Sequence, residues 1–263
     1  MNFSIVIVSW NNPSCLKTII NSINKNSYYK HEILVFLNEK NQESIDFLKS
    51  QQILFLISDI NIGLPKAANL ISKYAVENYI CLIDDDIYVL PDWDLHLLAF
   101  KTKNNLPECS WISSTMIEPE KGGITVISPY NFGRNPNEFD EIKLLSEYKY
   151  LSNFDYVSNQ ATPLLISKTC WDQIGGYPEE FNMGIGSEEG LAKKMYDIGC
   201  RDFVGVGKSL VYHFQRISTK KLNNYSIHAQ NRTTQFKELF DMSESEFLNI
   251  IKKGSLYVSS RIS

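Results

Sequence analysis

The sequence predicts an α/β fold, a single domain on a mostly parallel central sheet flanked by helices, with a helical C-terminal tail. Three observations carry that expectation. Short β-branched runs at 3–9, 32–37, 53–57 and 79–83 alternate with stretches of helical spacing. These runs are rich in Ile, Val and Leu with little polar alternation, as in strands covered on both faces by right-handed crossovers. The fourth run, "YICLI", ends in three consecutive aspartates, Asp84, Asp85 and Asp86. That is the carboxyl end of a strand, where open α/β sheets bind their ligands.

The elements follow in order. "MNFSIVIVSWNN" reads as a core strand, because its apolar run is too short for a signal sequence and carries neither a basic start nor a small-residue cleavage site. Pro13 then marks a helix start, with Leu16, Ile19, Ile20 and Ile23 on one face. Between the third and fourth strands, Leu64, Ala67, Ala68, Ile71 and Ala75 form a second apolar face. After Pro91, "DWDLHLLAFKTKN" predicts a helix capped by Asp92, and "CSWISSTMI" a strand. Residues 118–160 are rich in Pro, Gly, Asn and aromatics without periodicity, the composition of a long functional loop. Order resumes with "ATPLLISKTCWDQIGG", a strand and a short helix stopped by Gly175 and Gly176. "SEEGLAKKMYDIG" predicts a helix from a Ser187 cap to Gly199, followed by strand-like "RDFVGVG" and "SLVYHF". From 217 the chain is polar and helical, and "SESE" at 243–246 has the form of a capping box.

Composition narrows the partners. With 263 residues, 43% of them hydrophobic, the chain can bury one substantial core. A net charge of -4 and no Lys/Arg block give no general attraction to phosphate backbones, so no nucleic acid partner is expected. No stretch approaches the roughly 18 apolar residues of a bilayer span, which leaves peripheral membrane contact and the oligomeric state open. Cys15, Cys81, Cys109, Cys170 and Cys200 are scattered singly and odd in number, as in reduced thiols of a cytoplasmic protein.

Chemistry gathers at three places. Alternation at a strand end puts Asp84 and Asp86 on one side and Asp85 on the other, so two carboxylates can converge. Such a pair suits Mg²⁺ or Mn²⁺ held jointly with substrate phosphates. His213, at the end of a late strand, is a candidate ligand for the same ion, although a histidine beside Tyr212 and Phe214 is also an ordinary half-buried residue. Glu188 and Glu189 fall in the first turn of a helix, where they either satisfy the macrodipole or serve as general base for a hydroxyl.

"SIVIVSWNN", "NIGLPKAAN" at 61–69, "LIDDDIYVLPDW" at 82–93, "LLISKTCWDQIGGYPEEF" at 164–181, "GSEEGLAKKMYDIG" at 186–199 and "VYHF" at 211–214 occur in the order seen in family 2 glycosyltransferases. The chain resembles that family over residues 1–216, which implies a single Rossmann-like GT-A domain. Within it, 1–117 would be the nucleotide-sugar half and 118–216 the acceptor-side half, with 217–263 a helical extension. The resemblance places Asp84 on the nucleotide ribose and Asp86 on the metal, with Asp85 as the middle position of the donor-binding triplet. It implies that Ser9, Trp10, Asn11, Asn38 and Glu39 line the base. The donor contacts it implies in "NIGLPKAAN" are Asn61, Gly63, Lys66 and Asn69. The sequence departs from the family's pattern at Leu37-Asn38, where an Asp is usual, and Asp59 is the candidate substitute. It departs again at Ala68, where an Arg is usual, and Lys66 is then the candidate phosphate-side charge. The family's Glu-Asp pair appears as Glu188-Glu189, and both are candidates for the base. Trp171, Gly175, Gly176 and Tyr177 correspond to the sugar-contacting segment, Trp171 being either a stacking face or a core residue.

The implied activity is metal-dependent, inverting transfer from a nucleoside diphosphate sugar, a UDP-sugar first, to a hydroxyl of a glycan or other acceptor. Two rivals stand beside it. A degenerate domain could bind nucleotide sugar or glycan without turnover. A nucleotidyltransferase would need a Gly-rich basic phosphate loop after the first strand, which "SWNNPSCLK" lacks.

Overall fold

A computed structural model describes residues 2–123, 125–151, 154–160, 162–215, 217 and 225–254, without the side chains of 225–228. Strand β1 (Ser4–Ser9) feeds helix α1 (Pro13–Asn26), whose first position is Pro13, where a missing N–H costs nothing. β2 (Glu32–Asn38), α2 (Gln42–Ser50), β3 (Leu54–Ser58), α3 (Leu64–Ile71) and β4 (Tyr79–Asp84) complete the repeated strand-helix pattern. These four strands are parallel, with Val8 opposite Asp84, Ser9 opposite Leu37 and Asn38 opposite Ser58. Their carboxyl ends therefore bring Ser9, Asn38, Ser58 and Asp84 along one rim.

Past Asp84 the chain turns into a short strand, β5 (Ile87–Val89), and then α4 (Trp93–Lys103) and β6 (Ser110–Ile117). The segment expected to be irregular contains a helix, α5 (Glu141–Glu147), and a two-residue strand, β7 (Tyr156–Val157). β8 (Leu164–Ser167), α6 (Lys168–Ile174), α7 (Ser187–Asp197) and β9 (Asp202–His213) follow, then α8 (Tyr225–Phe240) and α9 (Glu244–Gly254). The sheet order is β3-β2-β1-β4-β8-β6-β9-β5, with β7 on β9. β1, β2, β3, β4, β6 and β9 run one way, and only β5, β7 and β8 oppose them.

Several local expectations change. Asp92 precedes α4 in a left-handed conformation and makes no side-chain cap. Gly186, at φ 92°, takes the cap position of α7. Ser187 turns its hydroxyl back to donate to the Gly184 carbonyl at 2.7 Å. "RDFVGVG" and "SLVYHF" form one strand, because a register shift opposite Ser114/Thr115 absorbs the residues between them. The capping box at Ser243 forms as expected, the Glu246 carboxylate accepting from the Ser243 N–H at 2.8 Å.

Apolar side chains cover both faces of the sheet. α1, α2 and α4 bury Leu16, Ile19, Leu48, Trp93 and Leu97 against one face, while α3, α6 and α7 bury Ala67, Ile71, Trp171 and Leu191 against the other. Phe236 of α8 and Phe247 and Ile251 of α9 join this second layer. The tail helices thus share the core of the strands. Residues 218–224 and 255–263 of the expected extension lie outside the described residues.

Candidate active site

Asp84 ends β4, and Asp85 and Asp86 form the turn into β5. Antiparallel pairing of β5 with β9 sets Ile87 opposite His213, and the Phe214 N–H donates to the Asp86 carbonyl at 3.0 Å. β6 flanks β9 on its other side, with Ile117 opposite Tyr212. His213 therefore emerges between Asp86 and Glu118. Its Nδ1 lies 2.8 Å from Glu118 Oε1, and its Nε2 lies 3.5 Å from Asp86 Oδ1. Gln215 donates to the other Glu118 oxygen at 2.7 Å, and the Ile217 N–H reaches Asp86 at 3.3 Å.

Asp85 points the other way. It accepts from the Ser9 hydroxyl at 2.6 Å and from Asn12 at 3.3 Å, tying the turn to the end of β1. Electrostatics follow this split. Burial, with the Asp86 charge, pushes Asp84 up to about 7 against the lowering effect of His213. Burial, again with Asp86, raises Asp85 to about 7 although Ser9 and Asn12 hold it down. Asp86 is itself depressed: burial pushes it up, but the His213 charge and hydrogen bonds from His213 and Ile217 outweigh that. Burial lowers His213, but its two carboxylates carry it up to about 10.

Among the described residues, no group of three or more carboxylate, imidazole or thiol side chains is gathered closely enough to hold an ion alone. The donor chemistry nevertheless fits a divalent cation that shares its shell with phosphate oxygens. Asp86 offers carboxylate, His213 would offer Nε2 once an arriving cation displaces the proton shared with Asp86, and the Asp84 carboxyl is within electrostatic reach of both. The Nδ1 contact to Glu118 is the arrangement that orients metal-ligating histidines.

Glu188 and Glu189 begin α7 and part company there. Glu189 pairs with Arg232 of α8 at 3.1 Å, and Arg232 also pairs with Glu244 of α9. Glu188 makes no ion pair among the described residues. Burial raises it to about 8, helped by the charges of Glu189 and Asp84 and opposed by those of Arg232 and His213. Its carboxyl thus lies within electrostatic reach of Asp84 and His213. Tyr177 is buried too, its hydroxyl pushed far up by burial and by Glu188, Asp84 and Glu189.

The remaining sequence candidates sort by position. Trp10 donates to Glu39 at 2.7 Å, and Asn11, at φ 51°, accepts from Asn41 at 2.8 Å. Asn38 donates to Asn61 at 2.7 Å and accepts from the Ile62 N–H at 2.7 Å, whereas Leu37 is buried in the core. Asp59 and Lys66 are exposed beyond this network. Gly63 is required by close approach, since a Cβ would sit 1.6 Å from the Asn182 carbonyl oxygen. Asn69 grips the Tyr177 backbone from both sides, accepting from its N–H at 2.8 Å and donating to its carbonyl at 2.9 Å. Trp171 is buried edge-on against Tyr177, so its ring belongs to the core wall beneath the Gly175-Gly176 turn. Sequence reasoning missed Glu118 and Arg232. Glu118 directly follows a strand of the majority direction, which is a usable signal. Nothing in the polar tail distinguishes Arg232.

A family model described as glycosyl transferase family 2 matches residues 4–149. Among solved structures, S. aureus TarS 1–349 aligns with TM-score 0.59 at 13% identity, covering 91% of this chain and 74% of that one. Its complex with UDP aligns with TM-score 0.58 at 13% identity, covering 93% of this chain and 73% of that one. GalNAc-T7, solved with UDP, GalNAc and Mn²⁺, aligns with TM-score 0.57 at 16% identity, covering 80% of this chain but 43% of that one. These likenesses establish the shared fold. No curated protein matches by sequence. Among the described residues, no helix is long and apolar enough to cross a membrane.

Proposed function

The chain belongs to glycosyltransferase family 2, and on that premise we propose that it transfers a sugar, with inversion, from a UDP-sugar to a hydroxyl acceptor. The observation that carries this reading is that Glu188, in the first turn of α7, makes no ion pair among the described residues and lies within electrostatic reach of Asp84 and His213. Two structural neighbours are solved with UDP, and one of them with Mn²⁺, which supports a UDP-sugar donor and a divalent cation.

Asp86 and His213 would hold the cation, with Asp84 toward the ribose. When bound, such an ion supplies Lewis-acid stabilisation of the departing diphosphate. The rim formed by Trp10, Glu39, Asn38 and Asn61 would receive the base. Glu188 removes the acceptor hydroxyl proton as that oxygen bonds to the anomeric carbon from the face opposite the diphosphate. The anomeric C–O bond breaks, and its electron pair leaves with UDP. Glu188's elevated basicity suits this step, because a general base works best when its pKa lies near the operating pH. The tie between Glu189 and Arg232 makes Glu188 the better candidate of the pair.

The donor can be identified by screening nucleotide sugars for Mn²⁺-dependent thermal stabilisation. With that donor, Glu188→Gln is expected to lower kcat by roughly 10²–10⁴ while UDP affinity holds. Retention of the full rate would reject Glu188 as the base.

A further inference from the structure

Among the described residues, Arg232 ties the C-terminal helices to the Glu188-Glu189 pair. Arg232 Nη2 lies 3.1 Å from Glu189 Oε1, and its Nε donates to Glu244 Oε2 at 2.6 Å, so the guanidinium bridges α7 and α9. Its stem packs over the start of α7, where a Cβ on Gly186 would lie 2.9 Å from Arg232 Cγ. Phe236, one helical turn farther along α8, and Phe247 are wholly buried and fix both tail helices to the core. The arginine is thus held at its stem and at its head. Only one of its carboxylate partners, Glu189, adjoins Glu188.

We propose that Arg232 is a positioning residue for the transfer reaction, a cation supplied by the tail that pins Glu189 away from the cleft and keeps Glu188 as the acting base. This rests on the family 2 reading and on Glu188 as base. It makes α8 and α9 part of the catalytic domain in function as well as in packing. A bidentate guanidinium suits the task because it can satisfy two carboxylates in fixed directions, which an ammonium cannot.

The charged and titratable groups that act on Glu188 are Glu189 on its own helix, Asp84 at the end of β4, His213 at the end of β9, Arg232 on α8 and Tyr177 beneath the turn after α6. Loss of Arg232 leaves Glu189 as an uncompensated neighbour, so the Glu188 proton should be held more tightly. The test titrates Glu188 directly, by ¹³C NMR of protein labelled at glutamate carboxyls, with the Glu188 signal assigned by its loss in Glu188→Gln. Arg232→Met is expected to move the titration upward by about one pH unit. Adding Glu189→Gln to Arg232→Met should return it to or below the wild-type value, and adding Glu244→Gln should not. Glu189→Gln alone should lower it, which keeps the test usable if Arg232→Met fails to fold.

An unmoved Glu188 titration in folded Arg232→Met or in Glu189→Gln would overturn the proposal. Equal rescue by Glu189→Gln and Glu244→Gln would also overturn it, because a purely structural clamp is relieved by removing either stranded carboxylate. The base assignment fails separately. Full turnover by Glu188→Gln would reject that assignment and leave the titration shifts as they are.

Discussion

The pair of glycines after α6 permits a sharp comparison, because the two share a positive φ and differ in surroundings. Gly175 has φ 68° and Gly176 φ 71°. A Cβ on Gly175 would meet nothing within 4 Å, whereas one on Gly176 would lie 2.2 Å from Asn69 Oδ1 and 2.9 Å from Trp171 Cζ2. Gly175→Ala therefore incurs only left-handed strain, about 1 kcal/mol. Gly176→Ala incurs the same strain and must also displace Asn69, losing its two hydrogen bonds to the Tyr177 backbone at roughly 1 kcal/mol each. Its total is about 3–4 kcal/mol once some contact with Trp171 is lost. At about 2–4 °C per kcal/mol for a domain of this size, Gly176→Ala should lower Tm by about 10 °C and Gly175→Ala by about 3 °C. Scanning calorimetry of the two variants beside the wild type measures the difference. Equal losses, or a Gly176→Ala variant within about 3 °C of wild type, would refute the reasoning.

Two further outcomes follow from buried polar contacts. Glu118→Gln should weaken Mn²⁺ binding in the presence of UDP by about 10–100-fold, because it disturbs the group that orients His213. Electron paramagnetic resonance of free Mn²⁺ reads this, and unchanged affinity would remove Glu118 from the site. Asp94 accepts from the Tyr28 and Tyr29 N–H groups at 2.9 and 2.8 Å and contacts His31 at 2.9 Å. Burial alone would raise Asp94, but these hydrogen bonds hold it below the usual carboxylate range. A depressed folded pKa gives stability that is present above the unfolded value near 4 and lost as pH falls through the folded value. Asp94→Asn should thus cost about 2–4 kcal/mol in urea unfolding at pH 7 and progressively less below pH 4. A gap that does not narrow on acidification would count against this origin.

The parallel half of the sheet was legible because both signals it needs are local. Ile, Val and Leu runs mark strands buried on two faces, and Pro13, Leu16, Ile19 and Ile23 mark the covering helix. The aspartate turn was legible for the same reason, since it follows "YICLI" directly. What stayed hidden depends on pairing across long stretches of chain. β5 is three residues long, and only its register against β9 makes Asp86 and His213 neighbours, 127 positions apart along the sequence. Glu118 joins them through the register of β6 on β9. The break between Glu188 and Glu189 could not be read from two identical residues side by side. It is made by Arg232, in a segment whose polar composition announces only an exposed helix.

The charges of the site have an order that none of its residues has alone. Six carboxyl groups outside the Asp85 link crowd this end of the sheet: Asp84, Asp86, Glu118, Glu188, Glu189 and Glu244. Among the described residues, two cations pair with them, and each takes two carboxylates, His213 serving Asp86 and Glu118, Arg232 serving Glu189 and Glu244. Asp84 and Glu188 make no ion pair among the described residues. Burial and neighbouring carboxylates push them up to about 7 and about 8 against the lowering charge of His213 and, for Glu188, of Arg232. Two carboxyls within electrostatic reach of each other favour the arrival of a cation beside one and the retention of a proton on the other. A cation arriving with the donor at Asp86, two residues from Asp84, would relieve the repulsion felt by Glu188 and ready it to accept a proton near neutral pH. The two clamps thus isolate the pair of groups on which the proposed transfer depends.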